Sequence, residues 1–241
     1  MTRLEISSVS KRFKNRTALY PFSLNVDSGE CIALCGGNGA GKSTLLQIIA
    51  GISDSGEGTV KIDGIDLKIN RSEYVSSLGY MPDEFFAQET MTVTEFLTFY
   101  GTFRKVGQTR IKEVIQVLGL GGKRNTMIKH LSKGMRQRLL FGQAWAANPA
   151  VLILDEPTNG LDPYWINMFI DLLKKNKSDG TTILFSTHMM DVAAEVADQV
   201  IFMENGCQLE VIKNDHVSPK EFMIALLNRY RQKDKVETSM V

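Results

Sequence analysis

The residues best suited to chemistry are Gly36-Gly37-Asn38-Gly39-Ala40-Gly41-Lys42-Ser43, followed by Thr44, which fit the spacing GxxxxGK[ST]. Glycines let the backbone turn tightly, so that successive N–H groups converge on phosphate oxygens. The apolar piece Cys31-Ile32-Ala33-Leu34-Cys35 precedes the loop, and Leu45, Leu46, Ile48 and Ile49 give a helical apolar face after it, until Gly51. A helix that starts at the loop adds the positive end of its dipole to the attraction for an anion. In that setting Lys42 reaches the β- and γ-phosphates of a nucleoside triphosphate, and the Ser43 hydroxyl ligates Mg²⁺. A glycine-rich turn without a ligand is the bland reading. The strand before and the helix after argue against it.

A second group is Val151-Leu152-Ile153-Leu154-Asp155-Glu156. Four apolar residues make a buried central strand, and two carboxylates stand at its C-terminal end, the edge where open α/β sheets bind ligands. Asp155 is placed to hold Mg²⁺ through its water shell, since that ion favours oxygen ligands and keeps several waters. Glu156 is placed to orient or deprotonate the water that attacks the γ-phosphate. An acidic turn after a strand is the alternative for this motif alone; the glycine loop makes it much the weaker one.

The elements that must carry these groups are legible in outline. Strand-like pieces fall at 3–9, 18–26, 31–35 and 59–62, with turn chemistry at Asp27-Ser28-Gly29 and Asp63-Gly64. The middle is helical: Thr92-Val93-Thr94-Glu95 has capping-box spacing, with helices expected from there, over 110–118 and over 133–147. Strand–helix alternation returns with 151–154, a helix opened by Asp162-Pro163, a strand at 181–186 and a helix from His188. Ser218-Pro219-Lys220-Glu221 opens a last helix to about 231, with a mobile tail expected beyond. Strands alternating with helices imply a mainly parallel sheet covered on both faces. The expected division is an ATP-binding core at 1–82 and 149–217, an inserted helical subdomain at 83–148, and a C-terminal helix and tail at 218–241.

Composition narrows the function classes. The formal net charge is +1, which gives no electrostatic case for wrapping nucleic acid. Three cysteines, an odd count, argue against a disulfide framework; Cys31 and Cys35 share a strand face about 13 Å apart and read as core. No run approaches the roughly 18 apolar residues of a membrane span, and the first residues lack a secretion signal. The expectation is a chain at the cytoplasmic face of a membrane, acting there only through a partner. His130 and His216 stand beside turns without neighbouring ligands and read as structural.

Leu131-Ser132-Lys133-Gly134-Met135, before the helix at 133–147, resembles the signature loop of the ATP-binding cassette (ABC) family, usually LSGGQ. Ser132 and Gly134 match; Lys133 and Met135 depart. On physical grounds Ser132 is also a good N-cap, and the helix N-terminus, hydroxyl and glycine amide together suit a γ-phosphate. The resemblance covers almost the whole chain. It implies a P-loop NTPase (RecA-like) α/β core with an N-terminal antiparallel β subdomain and an inserted α-helical subdomain. It places Phe13 as the aromatic that stacks on adenine, Asp162 in the loop that contacts the partner subunit, and His188 as the histidine that touches the γ-phosphate. Where the family has a glutamine that bonds Mg²⁺, this chain has Asp83; Gln88 is the alternative if the loop shifts. An acid here, with LSKGM in the signature, resembles exporter-type (ABC-2-type) members.

What the resemblance implies is a transport-coupled ATPase. Two nucleotide-binding domains, expected as a homodimer, close head to tail over two MgATP, with residues 132–135 completing the site of the other subunit. A separate transmembrane permease subunit carries the substrate; Phe85 and Phe86 are either subdomain core or part of its docking groove. A soluble ABC ATPase of DNA repair or translation is the alternative. The first type needs a long coiled coil between the glycine loop and the signature, and no sustained heptads occur there; the second carries two cassettes, and this chain holds one.

Overall fold

The computed structural model of the chain describes residues 2–84, 89–215 and 218–238. Phe85, Phe86, Gln88 and His216 lie outside the described residues.

Two sheets organise the molecule. An antiparallel sheet of order β2-β1-β4-β5 is built from β1 (Thr2–Phe13), β2 (Arg16–Asp27), β4 (Glu57–Ile62) and β5 (Ile65–Asp66). The larger sheet has the order β10-β9-β3-β8-β7-β6, from β3 (Cys31–Cys35), β6 (Leu78–Met81), β7 (Val151–Leu154), β8 (Thr182–Thr187), β9 (Gln199–Glu204) and β10 (Cys207–Lys213). All its pairings are parallel except that of β10 on β9.

Side-chain alternation assigns each central strand to two cores. Cys31, Ala33 and Cys35 of β3, Leu152 and Leu154 of β7, and Ile183 and Phe185 of β8 face one core. Ile32, Leu34, Val151, Ile153 and Leu184 face the other. The second core is closed by the antiparallel sheet and by α1 (Lys42–Ile49), through Leu45, Leu46, Ile48 and Ile49. The first is closed by α3 (Val93–Phe103), α4 (Gln108–Val117), α5 (Lys133–Trp145), α6 (Pro163–Ser178), α7 (Met190–Val196) and α8 (Pro219–Thr238). The short α2 (Arg71–Ser76) leads into β6.

Local chemistry sets the helix starts. Thr92 and Glu95 form a reciprocal capping box at α3. The Ser132 hydroxyl accepts the Met135 N–H at α5, and the Asp162 carboxylate accepts the Trp165 N–H at α6, with Pro163 at the first helical position.

Some expectations are corrected. The helix expected from His188 begins at Met190, which leaves His188 in the connection after β8. The last helix runs to Thr238 rather than ending near 231. The strands β6, β9 and β10 and the helix α2 add to the expected elements. Cys31 and Cys35 are buried and unpaired, as expected of core thiols. Among the described residues no helix is long and apolar enough to cross a membrane.

Candidate active site

Four parallel strands deliver their C-terminal ends to one edge. The glycine loop leaves β3, the 155–156 carboxylates leave β7, His188 follows β8 and Asp83 follows β6. A cleft of about 320 Å³ opens there, lined by Phe13, Arg16, Ala18, the loop from Asn38 to Thr44, Asp83 and Glu156. The ring of Phe13 is 53% exposed at the rim, with the Lys11 ammonium 5.1 Å from its centroid.

The loop reaches α1 through Gly41, at φ +97°. A Cβ there would lie 2.9 Å from the Ala18 carbonyl, so both conformation and space call for glycine. No side chain caps this helix, and its first residues, Lys42, Ser43 and Thr44, line the cleft. The Lys42 ammonium is buried inside the loop, donating to Gly36 O at 2.7 Å and Gly37 O at 3.2 Å, and stands 3.8 Å from Glu156 Oε1. Gly36 and Gly37 border the cleft's neighbour, a hollow of about 230 Å³ that runs to Glu204, Asn205 and Tyr230.

Glu156 is clamped on both sides of its peptide. Its N–H donates to Ser186 Oγ at 2.8 Å, and its carbonyl accepts from Gln137 Nε2 at 3.1 Å. This holds a φ of +45°, which costs a non-glycine residue about 1–3 kcal/mol. The side chain lies between Lys42 and His188, whose Nδ1 is 2.9 Å from Oε2. A carboxylate can only accept, so Nδ1 carries the proton in this contact.

Asp155 is buried, and burial pushes its carboxyl up from the ordinary range. The Ser186 hydroxyl, donating to Oδ1 at 2.6 Å, and the Ser43 hydroxyl oppose that; the charge of Asp83 adds to it, and Lys42 lowers it. The donor set of Ser43, Asp155 and Asp83 is all oxygen, which fits Mg²⁺ completed by waters and phosphates.

The signature residues sit apart from this cleft. Ser132, Lys133, Gly134 and Met135 form the start of α5, and none of them lines it. They pack instead on the loop that ends at Asp162. A Cβ on Gly134 would meet Gly160 O at 2.7 Å, and one on Gly160 would meet the Lys133 side chain at 2.9 Å. Sequence reasoning assigned no role to Ser186 or Gln137. Ser186 had a readable signal, two residues before His188 at the end of an apolar strand. Gln137 had only its place one helical turn beyond Gly134, and its burial is decided by packing.

Fold and cleft together define a P-loop ATPase cassette. A family model described as ABC transporter matches residues 19–159. The chain belongs to that family, and it is an ATP-hydrolysing cassette. It is similar to an uncharacterized ABC transporter ATP-binding protein of Bacillus subtilis, YxlF, at 38% identity over 84% of this chain and 68% of that protein. It is also similar to a human phospholipid-transporting ATPase, ABCA3, at 35% identity over 84% of this chain, although it spans 12% of that protein's length. Among solved structures, an ATP-binding subunit of an ABC transporter superposes with a TM-score of 0.83 at 27% identity, covering 93% of this chain and 99% of that one. A dimeric post-hydrolysis cassette bound to ADP and Pi gives 0.82 at 27% identity, covering 88% and 99%.

Proposed function

We propose that this chain drives a separate membrane-spanning permease by MgATP-dependent closure of a cassette dimer at the cytoplasmic face, in the export direction. The observation that carries the hydrolytic reading is Glu156 held between Lys42 and His188 over the glycine loop. Phe13 stacks on adenine, and the N–H groups of residues 36–44 cradle the phosphates. Ser43 and Asp155, together with Asp83, would hold Mg²⁺, which would supply positive charge to offset that of the phosphates. Glu156 orients and accepts a proton from the attacking water, His188 keeps that carboxylate aimed, and Lys42 leaves its loop carbonyls for the γ-phosphate.

The separation of residues 132–135 from the cleft supports their use in trans, with Asp162 in the facing loop. That two solved relatives are described as dimers supports the same arrangement, here with two copies of this chain. ATP then favours closure by bonding both halves, and hydrolysis removes the bridge. The parts that move are a core at 1–82 and 149–217 and a helical subdomain at 83–148, with 218–241 as the C-terminal extension. Asp83, Lys133 and Met135 motivate the exporter assignment. Among relatives, the human protein is named as phospholipid-transporting, whereas a Clostridioides difficile relative at 33% identity is named for methionine import. Uptake and efflux assays in vesicles reconstituted with the permease decide direction; ATP-driven uptake from the side opposite the cassette refutes export.

Glu156→Gln tests the hydrolytic centre. The variant is expected to bind MgATP and dimerise, with turnover reduced by at least about a hundredfold, the scale of a lost general base. Hydrolysis at the native rate refutes the assignment.

A further inference from the structure

Asp83 and Asn159 come from different loops, one after β6 and one after β7, and Asn159 Nδ2 donates to Asp83 Oδ1 at 2.9 Å. Asp83 is exposed, yet it lines the nucleotide cleft with Lys42, Ser43 and Glu156, and its charge is felt at Asp155. Asn159 is fixed in turn, since its N–H donates to Glu156 O at 3.1 Å. The amide therefore ties the acid after β6 to the turn that carries Glu156.

An acid held beside a triphosphate is costly unless a cation lies between them, because like charges repel at short range and a fixed carboxylate cannot swing away. A carboxylate with one oxygen held by an amide keeps its other lone pairs in a set direction. We propose that Asn159 is a positioning residue for hydrolysis: it aims Asp83 at the Mg²⁺ side of the triphosphate, so that this cassette selects MgATP strongly over metal-free ATP. This rests on the hydrolytic reading above. It adds to that reading a residue whose effect runs through Asp83 and not through the attacking water.

The test is a double-mutant cycle on Asn159→Ala and Asp83→Ala. In a Glu156→Gln background, titration calorimetry gives the affinity for MgATP and for ATP in EDTA, and steady-state kinetics are run without that background change. Each single variant is expected to lower the ratio of MgATP to metal-free ATP affinity about tenfold, the scale of one charge-assisted hydrogen bond. It should lower kcat similarly, with KM for MgATP changed less than about threefold. The double variant should lose no more than either single one. The exchange Asp83→Asn with Asn159→Asp keeps a bond between the loops while moving the charge. It should melt like the native protein and still show the reduced ratio. If the double variant loses the product of the single losses, or the exchange keeps the native ratio, Asn159 does not act through Asp83. If both single variants behave as native while Glu156→Gln stops turnover, the inference fails and the hydrolytic reading stands. If Glu156→Gln hydrolyses normally, that reading fails with it.

Discussion

Ser186→Ala removes one hydroxyl that serves two backbone-distant partners. Ser186 is fully buried, donates to Asp155 Oδ1 at 2.6 Å and accepts the Glu156 N–H at 2.8 Å. A hydrogen bond to a charged group contributes about 1.5–3 kcal/mol, and a stranded N–H costs about 1–3 kcal/mol. One oxygen serves both, so the two losses overlap, and about 3 kcal/mol is expected. For a domain of this size that is a drop in Tm of roughly 6–12 °C. The loss should depend on pH. Burial raises the Asp155 carboxyl above its ordinary value, so the native state holds that proton more tightly than the unfolded chain, and this contribution to stability is present in acid and fades as pH rises through the native value. Removing the Ser186 donor raises the carboxyl further, because that bond favours the charged form. The variant therefore loses most at neutral pH, and the difference from the native protein narrows as pH falls through the range where Asp155 protonates. The share due to the Glu156 N–H remains. Urea denaturation of both proteins at pH 7.5 and at two more acid values measures this. A loss below about 0.5 kcal/mol, or one that grows toward acid pH, refutes the coupling of Ser186 to an ionised Asp155.

Other consequences are as direct. Gly134→Ala forces a Cβ to 2.7 Å from the Gly160 carbonyl, and overpacking of that kind costs about 1–3 kcal/mol. The melting curve should show it, together with a fall in turnover larger than any change in single-chain MgATP affinity; unchanged turnover counts against a role for the Gly134 loop. Cys31 and Cys35 are fully buried, and burial pushes the Cys35 thiol up to about 12, so the native chain should take one iodoacetamide label, at Cys207, and three after unfolding, counted by mass spectrometry. Trp145 Nε1 donates to Asn176 Oδ1 at 2.7 Å between two buried side chains. Trp145→Phe strands that oxygen and should cost about 1–3 kcal/mol by urea denaturation, while adding Asn176→Leu should recover part of the loss.

The candidate site residues are legible in the sequence because each motif is local. A glycine loop between strand and helix is read within a dozen residues, and the loop in the structure runs from β3 to α1 as its spacing requires. Capping residues are local too, which is why the helix starts at Thr92, Ser132 and Asp162 could be read. Not every miss was hidden. Asn205-Gly206 between two runs is a hairpin signal, and the pair adopts φ values of +48° and +80° at the turn between β9 and β10. The strand β6 is different. Its Gly79 weakens any strand pattern, and the reason for the glycine, an Ala144 carbonyl that a Cβ would approach to 2.2 Å, comes from the end of α5, far along the chain.

Sequence by itself singled out the candidate residues for a triphosphate and determined which strands bury both faces, since period, turn chemistry and side-chain type are properties of neighbouring residues. The strand order β9-β3-β8-β7-β6 was decided only in three dimensions, because pairing joins strands separated by whole helices. The same holds for Ser186 under Asp155, Gln137 behind Glu156 and Asn159 on Asp83. Each is a polar group whose partner is set by where the backbone has already been placed by the core, and no spacing along the chain encodes that distance.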